Sequence, residues 1–263
     1  MTGFSAEWLT LREAYDKARN SDVLTSVVDF VGKLPSVRIV DLACGTGSTM
    51  RAIGPRLQTA QSWRLVDNNL SLLARVPLQG NVTASAVDIA RDLELALDGA
   101  IDLVTTSALL DLVSADWLER FAVEAAVRKL PVYAALSYDG HVTFAPTDRM
   151  DQAVIAALNQ HQHTDKGFGP ALGPAGAATA IRRFEELSYS VVQGASPWVL
   201  GPADQRMQSE LLAGWALAAR EIGRLPAAEI ADWLARRGAH VAAGASSIEV
   251  GHMDFFARQT GMR

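Results

Sequence analysis

Short apolar runs that alternate with stretches of helical period predict an α/β protein built on a doubly wound, mainly parallel sheet. Three observations carry this prediction. Strand-like runs at 37–41, 62–67, 82–87, 100–106 and 131–137 recur with helical or turn segments between them, an interval that implies right-handed crossovers and a sheet covered on both faces. The first run ends in Asp41-Leu42-Ala43-Cys44-Gly45-Thr46-Gly47-Ser48, a strand passing through a glycine-rich turn into a helix. Finally, 263 residues with 49% hydrophobic and 20% charged side chains suffice for one large core, which suits a single domain over 1–263.

Each element follows from its local pattern. Trp8, Leu11, Tyr15 and Ala18 recur at helical spacing, as do Leu24, Val27, Val28 and Val31 before Gly32, so two helices make an N-terminal cap over 1–35. The cofactor-binding core spans 36–137 and adds a short helix at 70–74 and a longer one at 116–129. The rhythm breaks at 138–175, where a helical run at 151–161 leads into the Gly/Pro-rich stretch 167–174. This reads as an insertion over the carboxyl edge of the sheet. A helix at 177–187 and a strand at 189–193 resume the pattern. A second insertion at 202–242 carries two helices, 203–222 and 226–237, with Pro226 at a first turn and Gly238 just past an end. The chain closes on a strand at 247–259.

Composition narrows the partners. The net charge is −5 and no basic tract stands out, which argues against nucleic acid. A single cysteine, Cys44, excludes an internal disulfide and fits a reducing cytoplasm. With no signal-peptide pattern and no run of membrane-spanning length, a cytoplasmic protein, monomer or homodimer, is expected.

The glycine turn is the clearest ligand signal. Gly45 and Gly47 let the backbone turn tightly and approach a bound molecule, and Asp41 stands near the carboxyl end of its strand, where open α/β sheets bind ligands. A dinucleotide fingerprint requires a third glycine where this chain has Met50, and no P-loop Gly-Lys-Ser/Thr occurs, so a pyrophosphate is disfavoured. A nicotinamide-dependent oxidoreductase shares the turn but conflicts with Met50. Asp67 ends the next strand, placed to accept from a ribose diol. Asp88 ends the one after, beside Ile89, which offers an apolar surface to an adenine. Each acid alone has an ordinary alternative as an N-cap or turn residue. Together they form a row around one crevice.

The ordered segments VRIVDLACGTGS, RLVDNN, AVDI and IDLVTTSALLDLVS resemble the class I S-adenosylmethionine-dependent methyltransferases over residues 37–114. The resemblance implies a Rossmann-like sheet of about seven mostly parallel strands with an antiparallel C-terminal strand, capped by N-terminal helices and helical insertions. It further implies S-adenosylmethionine as cofactor and S-adenosylhomocysteine as product. Asp41, Ala43, Cys44, Gly45 and Gly47 would surround the methionine moiety, with Asp67 and Asn68 at the ribose, Asp88 and Ile89 at the adenine, and Ser107 and Ala108 lining the pocket. Arg12 on the first helix would meet the methionine carboxylate. The Asn/Asp-Pro-Pro-Tyr/Phe motif of DNA-base methyltransferases is missing after the fourth strand, in agreement with the acidic charge balance, and the ordered motifs with two insertions large enough to cap a pocket point to methyl transfer to a small metabolite, through O, N or C. Asp111 lies where it can face that acceptor, or cap a short helix.

The acceptor side is less patterned. Tyr138 and Asp139 leave the fifth strand beside the expected methyl position. His161 falls on the apolar face of its helix with Val154 and Leu158, and offers a proton acceptor near neutral pH. His161, His163 and Asp165 invite a metal reading, but residues two apart on a helix point nearly opposite ways, so no metal is expected. A non-catalytic protein that binds the cofactor is the competing reading.

Overall fold

The computed structural model describes residues 5–261. α1 (Ala6–Arg12) begins at Ser5, whose hydroxyl accepts the Trp8 N–H, and α2 (Ser21–Val31) begins at Asn20, whose side chain accepts from Asp22 and Val23. Then follow β1 (Ser36–Leu42), α3 (Ser48–Ile53), β2 (Ala60–Asp67), α4 (Leu70–Leu73), β3 (Val82–Ala86), α5 (Leu93–Ala96), β4 (Leu103–Ser107) and α6 (Ala115–Val127). The second half comprises β5 (Val132–Ala145), α7 (Asp151–Gln162), α8 (Gly176–Glu186), β6 (Tyr189–Ala195), β7 (Trp198–Leu200), α9 (Gln205–Ile222), α10 (Ala227–Ala242) and β8 (Ser247–Gln259). No described helix is long and apolar enough to cross a membrane.

The eight strands form one sheet in the order β3-β2-β1-β4-β5-β8-β6, with β7 paired to β8. β1 to β5 pair in parallel, and β8 runs antiparallel to β5, β6 and β7. Strand alternation sends Val37 and Ile39 to one face with α2, and Val40 and Leu42 to the other with α6 and α8. Both faces are therefore covered. The first of these cores runs without a break into α7, α9 and α10 through Val154, Trp215 and Trp233.

Four expectations need correction. The first helix stops at Arg12 and continues as turns, so Tyr15 and Ala18 lie beyond it, packed on the core by tertiary contact. The fifth strand does not end at Ser137 but runs to Ala145, because β8 supplies an antiparallel partner along its length; two register shifts, at Ala134/Ser137 and Tyr138/Val142, bend it. The first insertion thus begins beyond Ala145, not at 138. Gly238 does not stop α10, since Ile230, Trp233, Arg237 and Val241 bury one continuous helical stripe through it. The three-residue β7 was too short to register as a periodic run.

Candidate active site

The order of the sheet reverses between β1 and β4, and the crevice beyond their carboxyl ends is where such sheets take ligands. Both strands leave it through an alanine in the left-handed region, Ala43 at φ 53° and Ala108 at φ 51°. Such strained backbone clusters at ligand sites. Gly45 (φ 56°) and Gly47 (φ 83°) complete the turn, Gly47 as the cap of α3.

Asp41 is fully buried. Its Oδ1 accepts from the Thr105 hydroxyl at 2.7 Å while Oδ2 has no partner. Burial pushes its pKa up to about 7, against the pull of Thr105 and Arg19. Cys44 donates its N–H to the Val66 carbonyl at 2.9 Å, tying the loop to β2, and burial raises its thiol. Asp67 accepts the Gly45 N–H at 2.8 Å with Oδ2 and the Asn69 N–H at 2.9 Å with Oδ1. Asn68 beside it is exposed, whereas Asn69 caps α4. Asp88 turns back to the Ala90 N–H at 3.1 Å, and the carbonyl of buried Ile89 accepts the Trp117 indole N–H at 2.7 Å. Ser107 Oγ accepts from Thr49 Oγ1 at 3.2 Å. The carboxyl ends of β3, β2, β1 and β4 stand side by side along one edge of the sheet; of the expected residues, Arg12, Ala43, Cys44, Gly45 and Ser107 line the space at the glycine loop.

α1 lies directly on this crevice. Leu9 reaches the loop so closely that a Cβ on Gly45 would stand 3.1 Å from its Cδ1. Arg12, almost fully buried, donates through Nε and Nη2 to Asp16 Oδ1 at 3.2 and 3.1 Å. Glu13 holds Arg51 in a two-pronged pair at 2.6 and 2.8 Å, and Arg51 also donates to the Thr46 carbonyl at 2.5 Å. The space left between Leu9, Arg12, Asp16, the glycine loop and Ser107 is about 40 Å³, whereas a pocket for a sizeable small molecule holds roughly 300–1,000 Å³. Nothing nucleoside-sized fits between α1 and the glycine loop as the helix is seated here.

On the acceptor side, Tyr138 is buried and its hydroxyl donates to Asn159 Oδ1 at 2.8 Å. Burial, with Asp139 and Asp111 nearby, raises its pKa. Asp139 Oδ1 accepts the His141 N–H at 2.9 Å, and its carboxylate lies against Gly251, where a Cβ would come within 2.3 Å. His161 does not point freely into the crevice: Nε2 meets Glu221 at 2.7 Å and Nδ1 meets Lys166 at 3.2 Å. His163 turns to the Ala171 carbonyl, and Asp165 accepts from the backbone of Gly167 and Gly169.

Near Arg12 of α1 stand Asp111, which the sequence offered for the acceptor side, and two residues it did not, His252 and Trp198. Asp111 is buried, its Oδ2 at 3.5 Å from Gln162 Nε2 and its Oδ1 unpartnered; burial lifts its pKa to about 6. His252 on β8 pairs in register with Tyr138, is buried, and has Nδ1 unpartnered; burial, then Arg12, lowers its pKa to about 4. The Trp198 ring on β7 lies 4.7 Å from that of His252, tilted by 47°, and carries an unpartnered Nε1. The signal for His252 was parity: Ile248, Val250, His252 and Asp254 share the buried face of β8. Asp254 on that face accepts from the N–H groups of Leu136 and Asn20 and from Ser196 Oγ, a structural clamp.

A sheet with this order, antiparallel at β8 and with its ligand crevice at the β1/β4 reversal, has the fold of the class I S-adenosylmethionine-dependent methyltransferases. No family model and no curated protein matches the sequence. Among solved structures the chain is similar to a cyclopropane-fatty-acyl-phospholipid synthase-like protein from Lactobacillus casei, with TM-score 0.57 and 14% identity over 97% of this chain and 94% of that one. It is similar also to the YcgJ protein of Bacillus subtilis, with TM-score 0.52 and 12% identity over 92% of this chain and 100% of that one. Identities this low speak for the fold.

Proposed function

We propose that the protein transfers a methyl group from S-adenosylmethionine to a small-molecule acceptor. The observation that carries this reading is the row of strand ends: β3, β2, β1 and β4 are neighbours in the sheet, so Asp88, Asp67, the Asp41–Gly47 loop and Ser107-Ala108 follow one another along its carboxyl edge. In this reading Asp41, Ala43, Cys44, Gly45 and Gly47 hold the methionine moiety, Asp67 and Asn68 the ribose, and Asp88 with Ile89 the adenine. The fit has support in the molecule itself. Asp41 keeps one carboxylate oxygen unpartnered before the loop, and Gly45 and Gly47 hold the left-handed backbone that the tight turn requires.

The bound cofactor supplies an electrophilic methyl on a sulfonium, whose neutral thioether leaves without acid assistance. The chain's task is then to exclude water and to align the acceptor. α1, resting against the occupied crevice, does the first. Tyr138 and Asp139, at the bend of β5, wall the acceptor side, with His161 one shell out through its pair with Glu221. The polar, enclosed surroundings of Asp111 and Tyr138 favour a small acceptor in a cytoplasmic enzyme, built as one domain and acting as monomer or homodimer.

Calorimetry with S-adenosylhomocysteine tests the reading. Wild-type protein is expected to bind, and Asp67→Ala to bind at least ten-fold more weakly; no binding to wild type would defeat it. A cofactor-binding protein without catalysis is favoured by one observation, the engagement of His161 by Glu221 and Lys166. It predicts binding without methyl transfer to any acceptor panel.

A further inference from the structure

Arg12 is held in a setting that suits a cation. Its guanidinium carbon lies 5.3 Å from the centre of the Trp198 ring, over the face of the indole. Asp16 accepts its hydrogen bonds, and Asp111 and His252 both feel its charge. Around it, three buried polar atoms, Asp111 Oδ1, Trp198 Nε1 and His252 Nδ1, have no hydrogen-bond partner. The Trp198 and His252 rings lie 4.7 Å apart, Arg12 links them to Asp111 through its charge, and buried polar atoms without a protein partner are free to meet a further molecule.

Arg12 and Asp16 both belong to the α1 segment, whereas Trp198, His252, Tyr138 and Asp111 belong to the sheet and its loops. Lifting α1 to admit a nucleoside therefore withdraws the guanidinium and leaves an indole face, a carboxylate and a neutral imidazole beside Ser107 and the glycine loop. Such a site prefers a positively charged group over a neutral isostere.

We propose that the methyl acceptor is a small aliphatic amine, bound by the Trp198 face, Asp111 and His252 in the place that Arg12 takes in this structure. The inference rests on the methyl-transfer reading and names its substrate class. The amine enters as an ammonium and gives one proton to Asp111 Oδ1, which frees its lone pair. Burial brings that carboxyl to about 6, nearer to an amine than an ordinary carboxyl. His252 Nδ1 accepts a remaining N–H and aims the lone pair. The carbon–nitrogen bond forms as the carbon–sulfur bond breaks, the electron pair stays on sulfur, and the positive charge passes from sulfur to nitrogen. The methylated ammonium departs, and Asp111 returns its proton to solvent.

Imidazole resonances give a readout apart from turnover, since the chain has only five histidines. n-Propylammonium and 1-propanol are titrated into two samples, wild type with S-adenosylhomocysteine and the Arg12→Ala variant without it. Propylammonium is expected to shift the His252 resonance saturably in both, at least ten-fold more tightly than propanol. In the Arg12→Ala background, Trp198→Leu is expected to lose ten-fold or more of that affinity, with Trp198→Phe recovering part. Asp111→Asn is expected to show the same loss should Trp198→Leu fail to fold. Equal response to amine and alcohol in both samples, or amine binding indifferent to these substitutions, overturns the proposal. If S-adenosylhomocysteine does not bind the wild type, the methyl-donor reading falls, while the Arg12→Ala titration still decides the amine site.

Discussion

Asp41 shows how one side chain ties the ligand site to stability. Burial raises its folded-state pKa to about 7 from the ordinary 3.8, so the folded protein holds the proton more tightly than the unfolded chain. The associated stability is fully present below the unfolded pKa and is lost as pH rises from about 4 through about 7. Asp41→Asn keeps an oxygen for the Thr105 hydroxyl and carries no charge. The variant is expected to match wild type near pH 4 and to exceed it at pH 8 by on the order of 1–3 kcal/mol in urea unfolding. A gap that stays flat with pH would show that Asp41 does not titrate in this window. At this scale the sequence revealed the acids at strand ends, because Asp41, Asp67 and Asp88 each close their own apolar run. It did not reveal Trp198, whose indole, 186 positions further along the chain, reaches Arg12 only once β7 pairs with β8. Nor did it reveal that His161 is spent on Glu221, since helical spacing names a face but not the neighbour it meets.

At the scale of elements, α1 and α10 make opposite points. α1 has seven residues, too few to persist alone, and its seat depends on Leu9, the Arg12–Asp16 pair and the Glu13–Arg51 pair. Glu13→Gln is expected to speed amide exchange over residues 6–16 while changing global stability by no more than about 1 kcal/mol, since the ion pair is partly exposed. Unchanged exchange would mean that apolar contacts alone seat the helix. α10 persists through a glycine because packing outweighs the local preference. Gly238 is exposed, and a Cβ there would meet nothing within 4 Å. Gly238→Ala is accordingly expected to stabilise the protein by about 1 kcal/mol, which thermal unfolding would register as a rise of roughly 2–4 °C. A drop would contradict the open helical environment.

For the whole molecule, the question is whether the helices α7, α9 and α10 form a separate cap. They share one continuous core with β1, β2 and α2, and their own centre is polar: Arg237, fully buried, bonds Asp151 and the Pro146 carbonyl and lies 4.3 Å from the Phe144 ring, while Trp233 donates to the same Asp151. Arg237→Leu leaves that carboxylate buried without its cation, a loss of about 3–5 kcal/mol. The variant is expected to unfold in a single transition at lower denaturant, with S-adenosylhomocysteine binding lost in step with the helical signal. Two separated transitions would instead reveal a cap that unfolds on its own.

The sequence by itself determined the parallel core, the glycine loop and the acids at the strand ends. Each of these is written within a single strand–turn–helix unit, where periodicity and turn chemistry act over a few residues. Only the tertiary structure decided the extent of β5, the seat of α1 on the loop, and the meeting of Arg12, Asp111, Trp198 and His252. Those features come from antiparallel pairing along β8 and from packing between segments far apart in the chain, and no local pattern of residues encodes which distant partners will meet.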